Sequence, residues 1–353
     1  MAETPSKTES APAAVEGCAH LVVILPALNE EKTVGTVIGR IPREIPGVGR
    51  LSVIVIDDGS TDATARLAEE AGAAVCRHPT NRGVGASFRT GIAAALDAGA
   101  DVIVNMDADG QFDPADIPAL IRPVLDGRAD MTTCTRFARK DTLPDMPRMK
   151  LWGNRMMCRL INRICWKTHY TDVSCGFRAY SRETAMKLTL FGDFTYTQES
   201  FIDLASKGTH IVEVPLRVRG VREFGRSRVA GNLWRYGVLS LSIIVRAARD
   251  VRPLAFFGTI GVAVFALGLV LGLFVFGWWL GTGNTHPFAS VLLGSGVFLL
   301  LGFLLCVLAL LADMLGRQRV LLEQVLVELR SQDRVPPDDE DDPATAGERS
   351  CAS

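Results

Sequence analysis

Short apolar runs alternate with stretches of helical character from His20 to Arg136. The runs are LVVIL from Leu21, LSVIVID from Leu51, AAVCR from Ala73, ADVIVNMD from Ala100 and ADMTTCTR from Ala129. Between them lie Glu30 to Ile41, Asp62 to Ala71, Gly85 to Ala98 and Asp116 to Leu125, which read as helices. Continuous Val and Ile, without strict alternation, mark strands buried on both faces, so the pattern predicts a mostly parallel sheet wrapped by helices. Short right-handed crossovers favour an open, doubly wound α/β sheet. In such sheets ligands bind beyond the carboxyl ends of the strands. Three polar clusters fall there: PALNEE after the first strand, DDGSTD at the end of the second and DADGQ at the end of the fourth.

The second half carries a different pattern. Leu254 to Leu280 and Phe288 to Ala312 contain no Asp, Glu, Lys or Arg, and each exceeds the roughly 20 residues a helix needs to cross hydrocarbon. The connector GTGNTHP also lacks Lys and Arg, whereas RAARDVRP precedes the pair and GRQR follows it. The positive-inside rule then puts both chain ends and the large domain in the cytoplasm, at the cell membrane. Residues 232–253, opening on NLWRYGVLSLS, mix apolar and basic positions at helical spacing and read as an interfacial helix. The expected organisation is a tail over 1–19, a catalytic domain over 20–231, the interfacial helix, spans over 254–280 and 288–312, a cytosolic helix over 313–334 and an acidic tail over 335–353. Both tails are polar and read as disordered. The first carries no apolar signal-peptide core, so insertion is expected to rely on the late helices.

Charge narrows the partners. Lys and Arg number 38 against 39 Asp and Glu, which argues against a nucleic-acid binder. The eight cysteines form no Cys-x-x-Cys pair and the five histidines do not cluster, so neither a disulfide framework nor a zinc site is signalled.

VNMDADGQFDP, from Val104 to Pro114, crowds three carboxylates into the end of an apolar strand. Two carboxylates as close as Asp107 and Asp109 repel unless a cation sits beside them. With Gln111 they offer hard oxygen ligands to Mg2+ or Mn2+, ions that complete their shell with substrate phosphate oxygens. A dinucleotide reading fails, since Gly83 and Gly85 do not follow the first strand as that fingerprint requires. No phosphate-cradling Gly-Lys-Ser/Thr loop is present either, which leaves a diphosphate to metal and basic side chains. On the neighbouring strand Asp57, and with it Asp58, are candidates to accept the imide N–H of a uracil or the N1–H and amino group of a guanine, and Asp62 to cap the following helix; for Asp58, Ser60 and Thr61 a turn with an N-cap is the alternative.

LPALNEEKTV, VIDDGSTDAT, NRGVGASFRTG, MDADGQFDP and DVSCGFRAY, taken in order, resemble the family 2 glycosyltransferases of GT-A fold. Within them the chain is most similar to the polyprenyl-phosphate glycosyltransferases, the group that includes dolichol-phosphate mannosyltransferase. The resemblance runs from about His20 to Arg228 and implies that Pro26, Leu28, Asn29, Glu30, Asp57 and Asp58 hold the nucleotide. It further implies that Asp107, Asp109 and Gln111 serve the ribose, metal and diphosphate. Leu28 stands where many relatives have an aromatic residue. GRSR, with Arg226 and Arg228, resembles the element that closes on donor and lipid phosphates.

Arg136 follows the fifth strand and is expected in the same cleft, and Arg148 opens an amphipathic stretch beyond it. Arginine suits phosphate through its planar donor fork. Asp172 and Glu199 lie where relatives keep acids near the sugar, with pairing to Arg178 and neighbouring bases as the bland alternative. Ser174, Gly176 and Arg178 belong to one family element, expected to shape its loop, which the resemblance places beside acceptor and sugar.

The expected reaction is inverting transfer of one hexosyl unit from a nucleotide diphosphate-sugar to polyprenyl phosphate. An acceptor phosphate is anionic at neutral pH and needs no strong general base. GDP-mannose and UDP-glucose both remain open. A processive polysaccharide synthase is disfavoured because no Gln-x-x-Arg-Trp element stands near the membrane, and a non-catalytic scaffold because the whole carboxylate set is retained. The small residues of GTIGVAVFALG leave room for a homo-oligomer through the spans.

Overall fold

The computed structural model of the 353-residue chain describes residues 18–138, 148–165, 169–190, 196–219, 249 and 253–332. Seven strands form one sheet: β1 Ala19–Ala27, β2 Val48–Asp57, β3 Ala74–Arg77, β4 Val102–Asn105, β5 Met131–Thr135, β6 Arg178–Ser181 and β7 Ile211–Pro215. Their order is β3-β2-β1-β4-β6-β5-β7. β3, β2, β1 and β4 are parallel, β6 runs antiparallel to both β4 and β5, and β7 is parallel to β5. The sheet is therefore mixed but mostly parallel, with β6 the reversed strand.

Alternate residues of β1 feed two cores, as the two-residue period of a strand requires. Leu21, Val23 and Leu25 join one cluster with α1 (Val34–Gly39) and α4 (Ile117–Leu125). Val22 and Ile24 join the other with Phe88 and Ile92 of α3 (Val84–Asp97) and with α7 (Thr197–Ser206). Further helices are α2 (Thr64–Glu70), α5 (Arg148–Cys165) and α6 (Arg182–Lys187). The chain moves outward from β1 in one direction to β2 and β3, then returns past it to β4. That reversal creates a crevice beyond the carboxyl ends of β1 and β4, the usual ligand position.

The first predicted helix is shorter than its pattern. Glu30 N donates to Thr64 Oγ1 at 2.8 Å and Glu31 Oε2 accepts from Ala63 N at 3.2 Å. These bonds tie the segment sideways to the DDGSTD loop, so helix begins only at Val34.

Beyond the domain stand α8 (Pro253–Thr282) and α9 (Ala289–Gln332), both long and apolar enough to cross a membrane. Only 17% of the most apolar window of α8 and 11% of that of α9 is buried, which rules out the core helices of a soluble fold. The expected second span and the helix expected after it form one unbroken helix, α9. At 1.5 Å per residue it is about 66 Å long, against a hydrocarbon core of about 30 Å. It packs against α6 as well as α8. Small residues seat α8 on α9: a Cβ on Gly302 would lie 2.5 Å from Phe265 N, and one on Gly268 would lie 2.7 Å from Leu299 N. Gly261 and Gly268 of the GTIGVAVFALG stretch thus face the chain's own second helix, and that stretch no longer argues for an oligomer. Residues 1–17 of the expected first tail, all of the interfacial helix but 249 and 253, and the whole acidic tail lie outside the described residues; Ala19 already belongs to β1 and Pro253 to α8.

Candidate active site

The loops after β1 and β2 form one wall of the crevice. Asn29 adopts a left-handed backbone (φ 53°), its N–H donates to Ser60 Oγ at 2.9 Å, and its Oδ1 accepts from Thr61 N at 2.8 Å. Its side-chain oxygen is therefore committed to the loop. Pro26, Leu28 and Glu30 are half-buried along this wall.

Asp57 ends β2 with no exposed surface; Oδ1 accepts from Ser60 N at 2.9 Å, and Oδ2 lies 3.1 Å from Arg77 Nε. The Arg77 contact is an ion pair without hydrogen-bond alignment, and that arginine is largely exposed. Asp58 takes the turn role that the sequence offered beside base contact. Its Oδ1 accepts from Arg82 N at 2.9 Å and lies 2.8 Å from His78 Nδ1, while Oδ2 accepts from Gly83 N at 2.9 Å. Both oxygens accept from the loop entering α3, so Asp58 builds that loop. His78 completes the arrangement through Nε2, 3.0 Å from Thr90 Oγ1. Only glycine fits at 59, where φ is 76° and a Cβ would lie 2.8 Å from the Thr80 carbonyl carbon.

The opposite wall starts at β4. Asp107 lies two residues past the strand end, half-buried, with Oδ1 and Oδ2 each 3.5 Å from where a Gly176 Cβ would stand. That same Cβ would lie 2.8 Å from Tyr196 Oη, so the glycine lets loop 172–177 close on Asp107. Asn105 Nδ2 fixes the contact by donating to Gly176 O and to Tyr196 Oη, both at 2.7 Å. Burial first, and then the Asp107 carboxylate, push the Tyr196 phenol well above its ordinary range. Asp109 is 2% exposed and its Oδ1 accepts from Gln111 N at 3.0 Å. Gln111 is half-buried and its carbonyl accepts from Arg219 N at 3.0 Å. Asp109 thus shapes the turn that presents Asp107. Among the described residues no three His, Cys, Asp or Glu side chains converge on a common point. One or two carboxylates at this turn would fit a hard divalent cation only if diphosphate oxygens and water completed its shell.

A third group lies beyond β5. Arg136 Nε donates to Asp172 Oδ2 at 2.6 Å and Nη2 to Asp172 Oδ1 at 3.0 Å, a bidentate pair. Burial opposes the Arg136 charge, but Asp172 outweighs it and holds the guanidinium above its usual range. The acid thus pairs with Arg136, one of the neighbouring bases, and not with Arg178. Ser174 Oγ donates to Asn154 Oδ1 at 2.7 Å and accepts from Arg136 Nη2 at 3.2 Å. Glu213 accepts from the backbone N–H of Thr171 and Asp172 at 2.8 and 2.9 Å.

Arg178 shapes its loop, as its place in the family element implied, and is not placed to touch acceptor or sugar. It has no exposed surface; Nε donates to Cys175 O at 2.8 Å, Nη2 to Val173 O at 3.1 Å and Nη1 to Ser200 Oγ at 2.6 Å. The guanidinium also lies 4.5 Å from the Phe201 ring centre. It braces loop 172–177 from behind and cannot reach a ligand. Glu199 is half-buried in the first turn of α7, and Arg148 opens α5. Arg226 and Arg228 lie outside the described residues.

Sequence reasoning missed His78, Asn105 and Tyr196. A signal existed for two of them: Asn105 is a polar residue inside an otherwise apolar strand, and His78 directly follows one.

Residues 22–189 match the family model described as glycosyl transferase family 2. Glycosyltransferase AglJ of Haloferax volcanii is 30% identical over 83% of this chain and 92% of its own length. Polyprenol monophosphomannose synthase of Mycolicibacterium smegmatis is 30% identical over 63% of this chain and 85% of its own. Among solved structures, glucosyl-3-phosphoglycerate synthase from Mycobacterium tuberculosis in complex with Mn2+ and uridine-diphosphate-glucose superposes with a TM-score of 0.52. It is 25% identical and covers 65% of this chain and 79% of that one. The shared sheet, the carboxylate-bearing crevice and these relatives together establish that the chain belongs to glycosyltransferase family 2.

Proposed function

We propose that the protein transfers one hexosyl unit, with inversion, from a nucleotide diphosphate-sugar to polyprenyl phosphate at the cytosolic membrane face. The observation that carries this reading is Asp107, a half-exposed carboxylate at the sheet's switch point, in a domain attached to two helices able to span a membrane. A relative named for polyprenol monophosphomannose synthesis and a fold neighbour binding Mn2+ and uridine-diphosphate-glucose support it.

Asp107, with Asp109 and Gln111 behind it, would hold Mg2+ or Mn2+ together with the donor diphosphate. When bound, the ion supplies positive charge for the departing diphosphate. The walls made by Pro26, Leu28 and Asp57 take the nucleotide. Loop 172–177, fixed by Arg136, Asp172 and Arg178, fits against Asp107 and frames the sugar. Arg226 and Arg228 remain proposed phosphate contacts. His78 has both ring nitrogens engaged by Asp58 and Thr90, and the anionic acceptor needs no proton removed.

The test is a donor screen on the purified full chain in vesicles with undecaprenyl or dolichyl phosphate, with and without chelator. Transfer from one donor that stops with EDTA and returns with Mg2+ or Mn2+ is expected. Chelator-insensitive transfer would remove the metal role, and polymeric product would replace the reading with a synthase.

A further inference from the structure

The described part of the catalytic domain has two exposed large apolar side chains, Trp152 and Met156; every other one in the described protein lies on α8 or α9. Both stand on α5, whose 18 residues include five Lys or Arg and no Asp or Glu. Its exposed positions are Trp152, Arg155, Met156, Arg159 and Arg163. Offsets of three, four, seven and eleven residues from Trp152 put all five on one helix face. None of these arginines forms a salt bridge among the described residues. The inner face is occupied: Cys158 and Ile161 are buried, Asn154 bonds Ser174 Oγ, and Asn162 exchanges two hydrogen bonds with Tyr170.

A face that mixes an amphipathic aromatic ring, a flexible thioether and unpaired guanidinium groups suits the boundary between water and lipid. Trp is favoured at that boundary, and basic residues are drawn to anionic headgroups. The acidic stretch Asp338 to Asp342 of this chain answers the arginines but offers nothing to Trp152 and Met156. We propose that this outer face of α5 is a docking surface for an anionic lipid bilayer. Docked there, α5 carries the membrane contact directly to loop 170–174 and the Arg136–Asp172 pair, and so fixes the tilt of the crevice over the lipid surface. The inference rests on the membrane helices and not on the sugar-transfer reading.

The full chain is reconstituted in vesicles of phosphatidylcholine alone, or with an equal part of phosphatidylglycerol, each with bromine-labelled acyl chains. The Trp152 signal is the emission difference between wild type and Trp152→Phe. It should be quenched in the anionic bilayer, and the quenching should be lost with R155Q/R159Q/R163Q or in high salt. Hydroxyl-radical footprinting of the wild-type chain gives a second measurement: Trp152 and Met156 should be protected with phosphatidylglycerol and oxidised without it. Equal oxidation in both vesicles overturns the proposal. So does protection that follows protein concentration and not lipid charge, which would report a second copy on this face. So does protection by neutral vesicles unaltered by the arginine changes. Neither readout uses turnover, so this inference and the transfer reading can fail separately.

Discussion

Replacing Asp172 with alanine leaves the Arg136 guanidinium, 19% exposed, without its carboxylate. Breaking a buried pair from one side typically costs about 3–5 kcal/mol. Asp172→Ala should therefore lower the melting temperature in detergent as well as activity. An unchanged melting temperature would show that the pair is not a structural element. Glu213 supplies a pH test of the same loop. Burial, the largest influence, raises its pKa above the glutamate range despite three hydrogen bonds. A raised folded-state pKa makes the protonated form the better folded one, so its contribution is full below the ordinary glutamate range and is lost as pH rises through the raised value. Acidification from about pH 7 to about pH 5 should thus stabilise wild type relative to Glu213→Gln. Parallel melting curves for the two proteins across that range would contradict the assignment. At this scale Asp107 was legible, because repulsion between close carboxylates at a strand end demands an explanation within a few residues of sequence. The bonding partners of Asp58, Asn29 and Arg178 were not, since they lie 20 or more positions away or on a loop's own carbonyls.

Among the elements, the α8–α9 contact is the most exposed to a single change. The Cβ of any residue at 302 would meet the Phe265 backbone, which cannot yield as a side chain does. Gly302→Leu should force the helices apart and cost about 1–3 kcal/mol of packing, read as a lower melting temperature in detergent. Gly277→Leu, where a Cβ meets nothing within 4 Å, is the control and should melt like wild type. Both long apolar helices were legible from length and absence of charge alone. The continuity of α9 was not: charge at Asp313 ends the apolar run, but the Asp313–Arg317 pair at 2.9 Å lies within one unbroken helix. The shortened α1 has the converse cause, a helical pattern overruled by bonds to another loop.

For the whole molecule, the Val and Ile runs disclosed the parallel half of the sheet, β1 to β5. They could not disclose β6, a four-residue strand whose reversed direction is set by pairing to β4 and β5, nor that it would carry loop 172–177 to Asp107. The crevice is therefore built from a legible wall and an illegible one. Its central use is tested most directly by mass spectrometry of the lipid product made by the full chain in vesicles from a nucleotide diphosphate-sugar and polyprenyl phosphate. The account predicts a lipid phosphate bearing a single hexosyl unit, reduced at least about 100-fold in Asp107→Ala at unchanged melting temperature. A product carrying several sugars, or an undiminished yield from Asp107→Ala, would contradict it.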